Sequence, residues 1–345
     1  MTQTTTQPDS RPILAITMGD PAGVGPEITI KALMQEEIYR ICCPLVIGDE
    51  EVMRRAAWQL DAALQVARVS DPAAGAYRCG VIDVYSLDNI RWDELQIGKV
   101  SAMAGRAAVE YVIAATRLVQ EGRAAAMVTS PINKEAIQLG GYHYIGHTEI
   151  LADLTKSEGE TTMLITPGPD DGREHIPLRV VHVTRHIPFR DIVANLTVAQ
   201  VLETIRITWE GMRALKVERP RIAVAALNPH GGEGGLLGRE EIEVIGPAVR
   251  AAQAEGIDAR GPYPADSIFY RAMAGEFDAV AAMYHDQGHI AIKVYGWEAS
   301  VTVTLGLPII RTSVDHGTAF DIAWKGIAQP RSMIEAIRLA ATMAG

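Results

Sequence analysis

Three apolar runs in the second half of the chain each end on a histidine. They are Arg179-Val-Val-His-Val-Thr-Arg-His186, Arg221-Ile-Ala-Val-Ala-Ala-Leu-Asn-Pro-His230 and Asp278-Ala-Val-Ala-Ala-Met-Tyr-His285. In an open α/β sheet such runs are buried strands, and ligands bind beyond their carboxyl ends. His186, His230 and His285 would then stand where a divalent metal can be held, and three imidazole ligands leave a coordination position open for substrate. A histidine just past a strand is ordinarily a hydrogen-bonded loop residue, so the argument rests on the repetition of the pattern. Asp286 follows one of the three and Asn228-Pro229 precedes another, residue types that orient a ligand or turn a chain. His143, His147, His175, His182, His289 and His316 show no zinc-finger spacing, and no His-Glu-x-x-His is present.

Other segments carry weaker chemistry. Met18-Gly-Asp-Pro-Ala-Gly-Val-Gly-Pro-Glu27 and Gly231-Gly-Glu-Gly-Gly-Leu-Leu-Gly238 are glycine-rich, yet neither matches a dinucleotide or Walker fingerprint. Each reads first as a tight turn, and no cofactor-binding segment is assigned. Gly146-His-Thr-Glu149 offers donors to a phosphate or carboxylate, or simply a helix cap at Thr148. Lys134, Lys293 and Arg311 are the cations nearest apolar runs, and Lys293 is placed to move protons or to pair with an anion. Arg311, Ser313, Asp315, His316, Thr318 and Asp321 crowd around an apolar strand, which is costly unless the groups serve each other or a ligand. Together these residues describe a metal-dependent α/β enzyme for a small, anionic, oxygen-rich substrate. Their spacing does not separate oxidation from hydrolysis or aldol cleavage.

The elements that must position these groups alternate. Strands are expected at 13–17, 45–47, 81–85, 126–129, 163–165, 180–184, 222–227, 279–283 and 309–312. Helices are expected at 26–35, 51–59, 104–120, 198–213, 240–253 and 330–343. Ala108, Tyr111, Val112, Ala115 and Val119 recur at helical spacing in the longest of these. The alternation predicts an α/β fold with a mixed or mostly parallel sheet. No linker cuts the chain into sequential domains.

The net charge of −10, without a basic run, argues against nucleic acid or an anionic membrane as partner. An odd cysteine count with Cys42 and Cys43 adjacent gives no disulfide framework, which favours a reducing compartment. The polar first twelve residues lack the apolar core of a signal peptide, and no apolar stretch reaches membrane-spanning length. A cytoplasmic enzyme is expected.

Six ordered blocks carry a family resemblance. They are the segment Ile16 to Glu27, Gly146-His-Thr-Glu149, Leu227-Asn-Pro-His-Gly-Gly-Glu-Gly-Gly235, Gly261-Pro-Tyr-Pro-Ala-Asp266, Tyr284-His-Asp-Gln-Gly288 and the segment Leu305 to Ala319. Together they resemble the 4-hydroxythreonine-4-phosphate dehydrogenase family from Pro12 onward. The resemblance implies an isocitrate/isopropylmalate-dehydrogenase-like fold, two α/β/α domains around a cleft, expected at 1–145 with 300–345 and at 146–299. It implies a homodimer, NAD or NADP, and a divalent metal (Zn, Mg, Mn or Co). The metal ligands carried over are His186, His230 and His285, contributed by both subunits. His147, Thr148, Lys293 and Arg311 match substrate-binding positions, Lys293 also with a proton-transfer role. Asp266 and Asp286 match acidic positions that assist proton transfer. The implied reaction oxidises the C3 hydroxyl of a 4-phosphorylated four-carbon acid, and the resulting β-keto acid loses CO2.

One position departs from the family pattern. Where the family usually has Asn, the block Val301-Thr-Val-Thr-Leu-Gly306 has Thr302, which keeps a hydroxyl but loses the carboxamide's reach. The substrate is therefore left open between 4-phosphohydroxy-L-threonine and 4-phospho-D-threonate or 4-phospho-D-erythronate. His285-Asp-Gln-Gly-His-Ile290 and Phe320-Asp-Ile-Ala-Trp-Lys-Gly326 look similar to the acid-sugar branch. A cyclic dihydrodiol dicarboxylate ranks lower, and a phosphate acyltransferase on a related fold or a binding protein with an inactive site are the rival classes.

Overall fold

The computed structural model describes residues 10–158 and 160–345. The chain forms two compact units. Unit 1 comprises the residues through His147, together with His316–Pro330 and Ala340–Gly345, and unit 2 comprises Thr148–Asp315 and Arg331–Leu339.

In unit 1 the strands are β1 (Ile13–Thr17), β2 (Cys43–Gly48), β3 (Gln65–Arg68), β4 (Val81–Ser86) and β5 (Ala126–Thr129), in the order β3-β4-β2-β1-β5. All pair in parallel. The helices are α1 (Gly25–Leu33), α2 (Glu36–Ile41), α3 (Glu50–Gln59), α4 (Ala102–Gln120) and α5 (Lys134–Leu139). β2 and β5 are buried along their whole length, as expected of strands covered on both faces. The Met18–Glu27 loop is a closely packed turn, because a Cβ at Gly19 or Gly25 would overlap backbone oxygens of Pro131 or Met18. In that turn Asp20 is buried, and burial pushes its carboxyl up to about 6 although one oxygen accepts from the Ala22 amide.

Unit 2 contains α6 (His147–Thr155, its first residue counted with unit 1), β6 (Thr161–Thr166), β7 (Leu178–His182), α7 (Ile192–Asn195) and α8 (Val198–Ala214). There follow β8 (Arg221–Ala225), α9 (Gly246–Ala254), β9 (Asp258–Tyr263), α10 (Ala265–Met273), β10 (Ala279–Ala282) and α11 (His285–Gly296). β11 (Val301–Leu305), β12 (Arg311–Val314) and the start of α12 (Arg331–Ala344) complete it. The strand order is β12-β11-β6-β7-β10-β8-β9. Alternate residues of β8 and β10 feed two cores. Ile222, Val224 and Ala281 pack with Val201, Ile205 and Val249 of α8 and α9. Ala223, Val280 and Ala282 pack with Ile268 and Ile292 of α10 and α11. The side-chain period of two thus produces an α/β/α sandwich.

The unit boundary differs from the one expected. The segment 300–315 lies in unit 2 rather than with the N-terminal part, because β11 hydrogen-bonds antiparallel to β6 along its length and carries β12 with it. Thr-rich β11 offers little apolar periodicity, and the expected strand at 309–312 shifts to β12. The helix expected at 240–253 opens with a wider π-helical turn over Glu241–Ile245, immediately before Gly246-Pro247. No helix among the described residues is long and apolar enough to cross a membrane.

Candidate active site

β7 and β8 flank β10, and both pair with it in parallel. Their carboxyl ends therefore open on one edge of unit 2, the edge at which open α/β sheets bind ligands. Two of the three strand-end histidines meet there: the rings of His186 and His285 are 5.6 Å apart between centroids. They line a cavity of about 420 Å³ with Thr148 and Glu149 of α6, Thr162 of β6 and Thr302 of β11. Arg185, His182, His289 and Asp315 complete its polar wall.

His182 and His289 extend the cluster into a column. The His285 and His289 rings stack at 3.6 Å and 12°, and His289 lies 4.8 Å from His182. His182 is the buried end, 2% exposed. Burial, with the neighbouring His289 and His285, holds its pKa down to about 3, so the ring is neutral. Its Nε2 has no hydrogen-bond partner among the described residues. Gly288 makes room for it, since a Cβ there would overlap the His182 ring. Burial also lowers the His289 pKa, with His285 adding to the effect.

His230 is elsewhere. It does not line this cavity but stands on the loop after β8, with its side chain 68% exposed. His230, Gly231, Gly232, Glu233 and Gly234 all have positive φ, between 44° and 76°. The loop is pinned at its root by the Glu241 carboxylate, which accepts from the Leu227 amide at 2.9 Å and the Asn228 amide at 2.7 Å. Burial alone would raise Glu241, but these bonds and that from the Asn228 side chain outweigh it and its pKa falls. Glu233 accepts from His230 Nδ1 at 2.8 Å and raises the histidine's pKa, with Asp266 adding to the effect. Among the described residues no three His, Cys, Asp or Glu side chains of one chain gather to hold a metal.

The remaining expected residues are dispersed around this frame. His147 opens α6, so Thr148 lies inside the first turn rather than capping it, and only Thr148 of the two lines the cavity. Lys293 forms an ion pair with Asp315, donates to Ser300 Oγ at 3.1 Å and lies over the Trp297 ring. Asp315, not Lys293, reaches the cavity wall. Arg311 is buried, donates to Thr304 Oγ1 at 2.9 Å across the β11–β12 ladder, and is held down to about 9 by desolvation. Asp266 and Asp286 line a different, largely apolar cavity of about 490 Å³ between α10 and α11. Asp286 is also bonded to His285, accepting from Nδ1 at 2.7 Å.

Sequence comparison places these features in a family. The family described as "Pyridoxal phosphate biosynthetic protein PdxA" matches residues 40–340. The chain belongs to the PdxA family. A Symbiobacterium thermophilum relative named "Putative D-threonate 4-phosphate dehydrogenase" is 47% identical over 97% of this chain and 98% of its own. The 4-hydroxythreonine-4-phosphate dehydrogenase of Desulforapulum autotrophicum is 45% identical over 97% and 96%. The crystal structure of 4-hydroxythreonine-4-phosphate dehydrogenase from Klebsiella pneumoniae superposes with a TM-score of 0.87 at 40% identity, covering 97% of this chain and all of that one. This PdxA-family chain is thus a dehydrogenase-type enzyme with an α/β fold.

Sequence reasoning missed His182, His289, Arg185 and Glu233. A signal for His289 was present: it lies four residues after His285, the spacing that puts two side chains on one helix face. Arg185, which donates to Thr162 Oγ1 at 3.2 Å and the Glu160 carbonyl at 3.3 Å, adjoins a named histidine. Glu233 had no signal, because its meeting with His230 depends on left-handed backbone.

Proposed function

We propose that the chain is a metal- and NAD(P)-dependent dehydrogenase that oxidises the C3 hydroxyl of a 4-phosphorylated four-carbon acid, with loss of CO2 from the β-keto acid formed. The observation that carries this reading is the meeting of His186 and His285 with Thr148 and Thr302 around one cavity at the strand ends. The names of the relatives supply the substrate class, and they include both the aminated and the hydroxylated acid.

The donor set fits a divalent metal of borderline softness, with imidazoles from His186, His285 and His230. A single chain brings only the first two together, so His230 is read as coming from a second copy in a homodimer. Its exposure on a built loop supports this, as do the exposed apolar side chains of Ile290, Val294 and Trp297 on and beside α11. When bound, the metal supplies positive charge against the substrate oxygen that loses its proton.

The chain's own residues do the rest. Thr148 and Thr302 offer hydroxyls to the substrate, and Arg185 supplies a cation on the cavity wall for phosphate or carboxylate. A bound nicotinamide would supply the hydride acceptor for C3, and the hydroxyl proton would leave through a base of this chain. Lys293, held by Asp315, is read as the group that carries a proton or pairs with the carboxylate. Arg311, paired across the ladder with Thr304, adds positive potential on the sheet face that carries Thr302. Asp286 acts on His285 through its hydrogen bond, and Asp266 is read with His230 as the pair a second copy brings.

The test is absorbance at the reduced-nicotinamide band with 4-phosphohydroxy-L-threonine, 4-phospho-D-threonate and 4-phospho-D-erythronate, each with NAD and with NADP. Turnover is expected with at least one pair, lost on chelation and restored by a divalent metal. Absence of turnover with every pair overturns the substrate reading, and full turnover after chelation overturns the metal.

A further inference from the structure

We propose that Glu233 is the positioning residue for His230: it holds the Nδ1 side of the ring so that Nε2 is the nitrogen presented for ligation. This rests on reading His230 as a metal ligand.

The argument begins with proton bookkeeping on the ring. A neutral imidazole has one N–H donor and one lone-pair nitrogen, and only the lone pair can bind a metal. A carboxylate only accepts. The 2.8 Å bond between His230 Nδ1 and Glu233 Oε1 therefore places the proton on Nδ1 and leaves the lone pair on Nε2. Ligating histidines are commonly oriented in this way by a carboxylate behind them.

The backbone is shaped to make that bond. In extended chain, residues three apart are separated by about 10 Å, too far for the two side chains to meet reliably. Here His230 at φ 53° and Glu233 at φ 44° both adopt the left-handed state that L residues avoid, and the glycines between them follow the same hand. The turn brings Glu233 back beneath the ring, while Glu241 anchors the root of the loop. The other cluster repeats the chemistry with a different backbone. Asp286, the next residue in sequence, accepts from His285 Nδ1 at 2.7 Å. Two of the three candidate ligands thus carry a carboxylate on the same nitrogen.

The test measures the tautomer and the metal affinity separately. In metal-free full-length protein at high pH, where the ring is neutral, the ring nitrogen NMR shifts of His230 are expected to report Nδ1–H. Glu233→Gly removes the carboxylate and suits the positive φ, so folding is not at risk. It is expected to return the ring toward the Nε2–H form of free histidine and to weaken Mn2+ binding by calorimetry about 10- to 100-fold. Glu233→Gln retains an acceptor and is expected to fall between that variant and wild type. An Nε2–H ring in wild type, or wild-type Mn2+ affinity in Glu233→Gly with His230→Ala weakened, overturns the proposal. Mn2+ binding by His230→Ala equal to wild type instead overturns the ligand reading, and the ring shifts still decide what Glu233 does to the histidine.

Discussion

His182, His186, His285 and His289 stand close together at the ends of β7 and β10, with the innermost ring buried and neutral. His230 follows the neighbouring strand β8, yet stands exposed on a left-handed loop with its pKa raised. The same sequence signature, an apolar run ending in histidine, has produced a packed inner set and an outward-facing single residue. The difference lies in the few residues after each strand. Past β10 the chain enters a helix at once, which turns His285 and His289 onto one face. Past β8, Asn228-Pro229 and four glycines carry the chain into a turn of opposite hand. On the proposed reading, the fold keeps part of a ligand set at home and offers the rest to another copy.

The sharpest way to break this comparison is genetic complementation. His230→Ala and His285→Ala are each expected to lose about 10³-fold or more in kcat/KM, as loss of a metal ligand should cause. Mixing the two after subunit exchange rebuilds one complete site in each mixed dimer, so recovery up to about a quarter of wild-type activity is expected. No recovery in a mixture shown to contain mixed dimers would place all three ligands on one chain.

Glycine substitutions separate the two regions by cause. Gly288→Ala forces a methyl group into the His182 ring and is expected to cost about 1–3 kcal/mol in urea unfolding. Gly234→Ala meets nothing within 4 Å and is opposed only by its φ of 68°, for a cost of about 1 kcal/mol. Equal costs would remove the claim that one region is limited by packing and the other by backbone.

The buried ring makes a pH prediction. Unfolded chain protonates His182 near 6.5, but the folded protein does so only near 3. Between those values the unfolded state binds the extra proton, so stability is full above 6.5 and is lost as pH falls toward 3. At pH 5 the loss is about 2 kcal/mol. In His182→Met the drop in unfolding free energy from urea titrations between pH 7.5 and pH 5 should shrink by that amount, and an unchanged drop would show that the folded ring takes up the proton.

The smallest effect is expected at the cavity wall. Thr302→Asn adds a longer hydrogen-bonding group among the cluster and should change the ratio of kcat/KM between the amino and hydroxy acids by up to about tenfold. An unaltered ratio removes residue 302 as a determinant of specificity.

The fold class was legible because buried strands such as Ala126–Thr129 and Ala279–Ala282 are almost wholly apolar, and the helices between them repeat at their own period. β11 was not legible, since its threonines take meaning only from the partners across the ladder. Within the site, His186 and His285 were found by their place after a strand. The stacking of His285 with His182 was hidden, because a helix residue and a strand residue met through tertiary packing. Lys293 stood out as a cation beside an apolar run, but nothing local announced Asp315 as its counter-ion.

The Glu241-anchored loop has a consequence for assembly. Its backbone already has its final hand in the single chain, and a carboxylate already grips its one imidazole. If a second copy docks on this edge, as proposed, it would meet a loop already shaped by its own hydrogen bonds, so little conformational freedom would be left to freeze on encounter. In the proposed homodimer, association would then depend mainly on how fast two shapes collide in the right orientation, and far less on waiting for a loop to fold.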